Sequence, residues 1–266
     1  MSRNPSRVQS GRLAARIRMP LVVVTLISLL VPIFVSVPVW WQVGTVALFI
    51  AALVLYVRAG IPQADPVDLA SPVRGRWLAL NSPATRVPSH RINAWSQTYA
   101  IDLVDDPADG TRHDLAWWPL ARRPEDYPAF GQPVHAAISG TVVRRHDAMR
   151  DHWSRSSPIA LAYFALESVR ELLGPIGVLG NHVVIRDEDG VHVLVAHLRR
   201  RSVTVTPGDR VAAGDVIGQC GNSGNSTEPH VHLQAMDGPS TWTAAALPIR
   251  IAGEAPPADG DHLVAA

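Results

Sequence analysis

In the stretch "GNSGNSTEPHVHLQ", residues 221–234, His230 and His232 flank a single valine. Residues i and i+2 of an extended strand point to the same face, so both imidazoles project together from "PHVHLQ" while Val231 points away. A second strand-like run, "QTYAIDLV", places Asp102 on one face with Ala100 and Val104, opposite Tyr99 and Ile101. A carboxylate in so apolar a run is costly to bury without a partner. In a third run, "VHVLVAHL", alternation puts His192 and His197 on opposite faces, so at most one of them serves the same groove; the turn after "AHL" favours His197 and leaves His192 exposed or packed. Imidazoles and one carboxylate around a groove suit zinc. Catalytic zinc sites take three N or O ligands and leave a fourth position to water, and two further imidazoles can handle protons and oxyanion charge. An isolated H-x-H pair on a strand usually binds no metal; the compatible faces of Asp102 and His197 are what favour the metal reading. The chain has no H-E-x-x-H motif, which excludes a thermolysin-type site with a glutamate base.

The elements that must position these groups are short apolar runs rich in Val, Ile and Thr, broken by turn residues: "QTYAIDLV", "PVHAAISGTVVRR", "NHVVIRDEDGVHVLVAHL", "SVTVTPGDRVAAGDVIGQC" and "PHVHLQAM". The "DEDG" between two of them is a strong hairpin signal. The soluble part is therefore predicted to be mainly antiparallel β. One helix interrupts it: "SPIALAYFALESVRELLG", 157–174, opens on Ser157 as N-cap with Pro158 at the first helical position, and closes on Gly174. It lies in an insertion, 147–180, between two strands. Residues 59–76, rich in Pro, Ala and Asp, read as a linker, and 246–266 as a C-terminal tail.

Upstream, Met19 to Val57 is free of charge, far longer than the roughly 7–15 apolar residues of a signal peptide. Residues 19–58 are predicted to anchor the chain in a membrane. One span needs about 20 residues, so two tight helices fit, about 21–40 and 43–58, with Trp40, Trp41 and Gln42 at the interface; a single kinked span broken at Pro32 and Pro38 is the other arrangement. The basic segment 1–18 carries five arginines and favours a cytoplasmic N-terminus. All the basic residues are arginine, and the formal net charge of +1 hides an asymmetry: beyond residue 58, 18 Arg face 23 Asp and Glu, a net of −5. That part is no nucleic-acid binder. The single cysteine, Cys220, excludes an internal disulfide and a Cys-rich zinc site, and reads as a small buried residue.

Residues 181–234 resemble the core of the lysostaphin/LytM-type zinc metallopeptidases, which cut peptide bonds in peptidoglycan. The resemblance rests on a strand, an acidic Gly turn, "AHL", the pattern V-x-x-G-D-x-V-x-x-G-D-x-I-G, and then "GNSGNSTEPHVH". The "GDRVAAGDVIG" segment alone also occurs in lipoyl- and biotinyl-type β-domains, but the H-x-H ending does not. With "PVHAAISGTVV" and "NSPATRVPSH…QTYAIDLV" upstream, the similarity spans about 77–245. It implies an antiparallel, barrel-like β fold of the duplicated hybrid motif type, and a zinc endopeptidase acting on peptidoglycan peptides. It further implies one Zn²⁺ held by a first-motif histidine, Asp102 and His232, with His197 and His230 as the non-ligand catalytic pair. Family members place the first histidine four residues before the aspartate, where this chain has Thr98; the nearest upstream candidate is His90, twelve residues before Asp102, with His113 in reserve. A loop could return His90 to the site, because closure costs grow slowly with length. His182, Asn222 and Ser223 are expected to line the substrate groove. His135, His146, His152 and His262 are expected to pack or hydrogen-bond.

The displaced histidine keeps a second reading open, that of a degenerate member that binds wall or activates another hydrolase. A phosphocarrier of the related sugar-transport type has no use for Asp102 or a membrane hairpin, and a purely structural membrane protein would bind no zinc. Topology pulls the other way: a basic N-terminus followed by a two-helix hairpin returns the domain to the cytoplasm, whereas a wall hydrolase must face the wall. The site signature favours an extracytoplasmic domain over a charge rule with known exceptions.

Overall fold

The computed structural model describes residues 5–57, 60–113, 116–160 and 174–266. Its thirteen strands are β1 (Val67–Leu69), β2 (Gly75–Leu80), β3 (Ile101–Asp105), β4 (Pro133–His135), β5 (Gly140–His146), β6 (Asn181–Arg186), β7 (His192–Leu198), β8 (Arg210–Val211), β9 (Val216–Gln219), β10 (Val231–Met236), β11 (Ala246–Leu247), β12 (Ile249–Ile251) and β13 (His262–Ala265). Nine of them form one open sheet in the order β13-β2-β3-β10-β7-β6-β5-β8, with β11 also on β10. Its pairings are antiparallel. β4 pairs with β9, and β1 runs parallel to β12.

The alternation expected in the central strands is present. Ile101 and Leu103 of β3, Val193 and Val195 of β7, and Val231 and Leu233 of β10 enter the main core, almost wholly buried. A buried side chain of this size contributes about 1.5–3 kcal/mol. The opposite face of the same strands carries Asp102 and His232, which sit directly across from each other in the β3–β10 register. The β6–β7 hairpin turns at the acidic Gly motif, where Asp187 Oδ1 accepts the Val191 N–H at 2.7 Å.

Two segments expected to lie outside the domain pair with it. The region read as a linker contributes β1, with Val67 and Leu69 buried, and the region read as a tail contributes β12 and β13, the latter along β2. Strands of three or four residues among prolines carry too little alternation to be seen in sequence.

Two helices, α1 (Pro5–Phe34) and α2 (Val39–Val57), precede the sheet, and Ser10–Phe34 and Val39–Val57 are long and apolar enough to cross a membrane. They are held together by Ser28 Oγ and Thr45 Oγ1, 2.6 Å apart. The break falls at 35–38, earlier than expected. Helix α1 continues through Pro32, while Pro38, with its fixed φ and no N–H to lose, suits the position just before a helix. Trp40, Trp41 and Gln42 therefore occupy the first turn of α2 rather than the connection. The expected inserted helix falls largely on 161–173, outside the described residues. At its start, Ser157 Oγ accepts the Ala160 N–H at 3.1 Å, as an N-cap does.

Candidate metal centre

β3, β10, β7 and the loop between β2 and β3 surround a cavity of about 320 Å³ whose lining includes His90, Asp102, His197, His230 and His232. The cross-strand pairing sets His232 Nδ1 2.8 Å from Asp102 Oδ1. His90 arrives from the loop. Ser89 closes it twice, its N–H donating to Thr98 O at 3.0 Å and its hydroxyl to Gln97 O at 3.0 Å, which brings His90 Nε2 to 3.1 Å from Asp102 Oδ2. The ligand atoms of His90, Asp102 and His232 lie within 4.8 Å of one another.

The hydrogen bonds on the far sides of these rings determine which nitrogens carry protons. The Ser89 hydroxyl spends its proton on Gln97 O, so it can only accept from His90 Nδ1, 3.0 Å away. Gln234 donates its Nε2 to Trp95 O at 3.1 Å, so its Oε1 accepts from His232 Nε2 at 2.8 Å. In neutral His90 and His232 the remaining nitrogens, Nε2 and Nδ1, carry lone pairs, and both point at an anionic carboxylate. Acceptor facing acceptor at these distances is relieved either by a proton on the imidazole or by a metal ion held by all three residues. A donor set of two imidazoles and a carboxylate, each imidazole oriented by an outer partner, fits zinc. Asn81 Nδ2 holds Asp102 Oδ2 from the other side at 2.8 Å.

His197 reaches the cavity through an irregularity. Its pairing with β6 shifts register between Asn181 and Val183, and His197 has φ +60°, a left-handed conformation that is strained for a residue with a side chain. Across from β10, regular alternation would put His192, Leu194 and Ala196 on the His232 face. The bulge turns His197 onto it as well, its ring 4.5 Å from that of His230 and 5.7 Å from that of His232. His197 Nδ1–H donates to Ser223 O at 2.8 Å, and His230 Nδ1–H to Glu228 O at 2.8 Å. Each therefore keeps Nε2 for the cavity; His230 Nε2 lies 3.6 Å from Asp102 Oδ1. Burial, reinforced by His230 and His232, holds the His197 imidazole well below its ordinary range and keeps it neutral.

The three residues expected to line the groove lie behind it. Ser223 gives its carbonyl to His197 and its hydroxyl to Leu198 O, and Asn222 Nδ2 donates to His152 O at 2.8 Å. The Gly/Asn/Ser loop packs closely behind the groove: Gly224, at φ +78°, lies so near Gly180 that a Cβ would overlap its backbone. His182 stacks on His146 with ring centroids 6.0 Å apart, and its Nδ1–H donates to Gly180 O at 2.8 Å. His113 packs edge-on to Tyr127, away from the trio, and His135 bonds Gly214 O. His262 pairs with Asp106 at 2.7 Å. Sequence reasoning missed Asn81, Ser89 and Gln234. Of these only Gln234 carries a signal, since it stands two residues beyond His232 and so shares its face.

Burial pushes the His182 imidazole from the ordinary 6.5 down to about 4. The unfolded chain therefore takes up this proton first as the pH falls. The full stability is present above about pH 6.5 and is lost progressively down to about pH 4, by up to about 3 kcal/mol. His182→Gln is expected to flatten the dependence of unfolding free energy on pH across that window; an unchanged slope would assign it to other groups.

Residues 125–242 match Peptidase family M23. Glycyl-glycine endopeptidase ALE-1 of Staphylococcus capitis is 47% identical over 58 residues, 21% of this chain and 16% of the relative. DD-carboxypeptidase/endopeptidase Mpg of Neisseria meningitidis is 42% identical over 106 residues, 40% of this chain and 23% of the relative. This chain thus spans less than a quarter of either. Among solved structures, the catalytic domain of lysostaphin from Staphylococcus simulans is similar at 24% identity and a TM-score of 0.32, covering 56% of this chain and 74% of that one. Residues 125–242, which hold His197, His230 and His232, are thus a Peptidase family M23 domain, and its relatives and structural neighbours are of the lysostaphin/LytM type.

Proposed function

We propose that this chain is a zinc metalloendopeptidase that hydrolyses peptide bonds in the stem peptides or cross-links of peptidoglycan, anchored by residues 19–58 with its peptidase domain outside the cytoplasm. The observation that carries this reading is the convergence of His90 Nε2 and His232 Nδ1 on the Asp102 carboxylate, each ring's other nitrogen being held by an outer partner. The loop that brings His90 Nε2 to 3.1 Å from the carboxylate supports His90 as the first-motif ligand. The names of the relatives, a glycyl-glycine endopeptidase and a carboxypeptidase/endopeptidase, agree with peptide hydrolysis. Outward-facing apolar side chains along α1 and α2 support the membrane anchor.

When bound, zinc polarises a carbonyl and brings the pKa of its water toward about 7. The residues of the chain supply the rest. His90, Asp102 and His232 hold the ion. His197 and His230, each with Nδ1–H tied to a backbone carbonyl, offer Nε2 to the reacting atoms. One accepts the proton of the attacking water, and the resulting imidazolium returns it to the leaving amine. The other donates toward the oxyanion as charge develops.

The test uses the full chain in lipid. It is expected to bind one equivalent of zinc and to release new amino groups from purified muropeptides, with activity lost on chelation and restored by zinc. Zinc binding without cleavage would leave the wall-binding or activating reading. A reporter that works only outside the cytoplasm, fused after residue 266, is expected to be active; activity only from a cytoplasmic reporter would end the wall-hydrolase reading.

A further inference from the structure

The last turn of α2 has carbonyls without partners in their own helix. Two of them are answered from elsewhere in the chain. Arg18 of α1, only 4% exposed, donates through Nε to Leu55 O at 3.0 Å and through Nη1 to Asn93 O at 2.5 Å. The Asn93 N–H in turn donates to Tyr56 O at 2.7 Å. Met19, Tyr56 and Ile92 pack beside this junction against Ala94, Trp95 and Val178. The end of the helical hairpin is thus clasped to the loop that carries His90.

That loop needs holding. Arg91, Trp95 and Ser96 have φ of +63°, +58° and +58°, left-handed conformations that non-glycine residues keep only where their surroundings over-determine them. The loop also controls both imidazoles of the metal centre. It carries His90 directly, and its Trp95 carbonyl fixes Gln234, which orients His232.

We propose that Arg18 is a positioning residue for the metal centre: by tying the α2 C-terminus to Asn93, it holds the 90–98 loop in the arrangement in which His90 and His232 converge on Asp102, so that metal affinity depends on the seating of the helical hairpin. The proposal rests on reading His90, Asp102 and His232 as zinc ligands. It makes the hairpin a working part of the site, beyond any role as an anchor. A chain whose helices are not seated would hold an incomplete ligand set.

The test compares the full chain with Arg18→Met, Arg18→Lys and Arg12→Gln, all reconstituted in lipid. Arg12 pairs with Asp237 at 2.7 Å and so joins the same helix to the domain at a point outside the loop. Two quantities are read: hydrogen exchange of amides 89–98 in metal-free protein, and zinc affinity by competition with a chelating dye. Arg18→Met is expected to speed exchange in the loop and to weaken zinc by about 10- to 100-fold, the range typical of lost outer-sphere support. Arg18→Lys keeps the charge but cannot span both carbonyls, and should fall between; it decides the matter alone if Arg18→Met does not fold. Arg12→Gln should match the unsubstituted chain in both. Unchanged exchange and affinity in the Arg18 variants would overturn the proposal, as would an equal loss in Arg12→Gln. An unsubstituted chain that binds no zinc would overturn the reading of the site itself, a result distinct from an unsubstituted chain that binds zinc as tightly as its Arg18 variants.

Discussion

Asp102→Ala is expected to leave the full chain without bound zinc and to lower muropeptide cleavage by at least about 10³-fold, the loss of several kcal/mol of transition-state stabilisation. Asp102 is the only carboxylate in the trio, and its two oxygens are shared among Asn81, His90 and His232. Burial alone would raise its pKa. The histidines around it outweigh that and hold the carboxyl well below the usual carboxylate range, so it is anionic at neutral pH. Without it, two imidazoles remain, too few for a tight site. Asp102→Asn sharpens the test: it keeps the shape and a hydrogen-bonding oxygen but removes the charge, and it too should lose the metal while the fold survives. His90→Ala should behave like Asp102→Ala, whereas His113→Ala, packed on Tyr127, should keep its zinc. Metal content per chain, measured on purified protein, decides among these. Full occupancy in Asp102→Ala would refute the centre, and loss in His113→Ala alone would move the ligand role there.

Much of this site follows from strand periodicity. The i, i+2 rule puts His230 and His232 together, and the same rule isolates Asp102 among apolar neighbours. What periodicity could not give is which strands are neighbours, and hence that His232 pairs with Asp102. At His197 alternation points the wrong way. Counted along β7 it is His192 that shares the His232 face, and only the bulge with its left-handed backbone brings His197 round. A bulge has no signature in "VHVLVAHL", so the choice of His197 rested on the turn that follows and on resemblance. In sequence His90 stands out as the nearest upstream histidine, twelve residues before Asp102. The hydroxyl of Ser89, which closes the loop, is an unremarkable serine in sequence. Both His90 and Asp102 precede the stretch that matches the peptidase family, 125–242, and it is there that this chain departs from the usual spacing. The short strands β1, β12 and β13 were unreadable for another reason: they gain their stability from partners far away in the chain. The contact between the helical hairpin and the 90–98 loop was likewise invisible, since nothing about Arg18 in sequence separates it from the other basic residues before the apolar run.

His230→Ala is expected to abolish cleavage while zinc stays bound, and His197→Ala to do the same. Neither ring belongs to the trio within 4.8 Å, and each has its Nδ1 committed to a backbone carbonyl, so neither is needed to hold the ion. Their use lies in the two Nε2 atoms, and removing one proton carrier typically costs about 10²- to 10⁴-fold in rate. The ring centroids stand 4.5 Å apart on one cavity, so under the proposed mechanism the two histidines should act as a unit. If they do, the double variant falls no further than about the worse single one, because a step that has lost either partner gains little from the other. Independent contributions would instead multiply. The readouts are the rate of muropeptide cleavage at saturating zinc and the metal content of each variant. Loss of metal in either single variant would show that ligand and proton carrier have been exchanged in this assignment; retained cleavage in both would remove the two histidines from the chemistry and leave the metal trio to account for it alone.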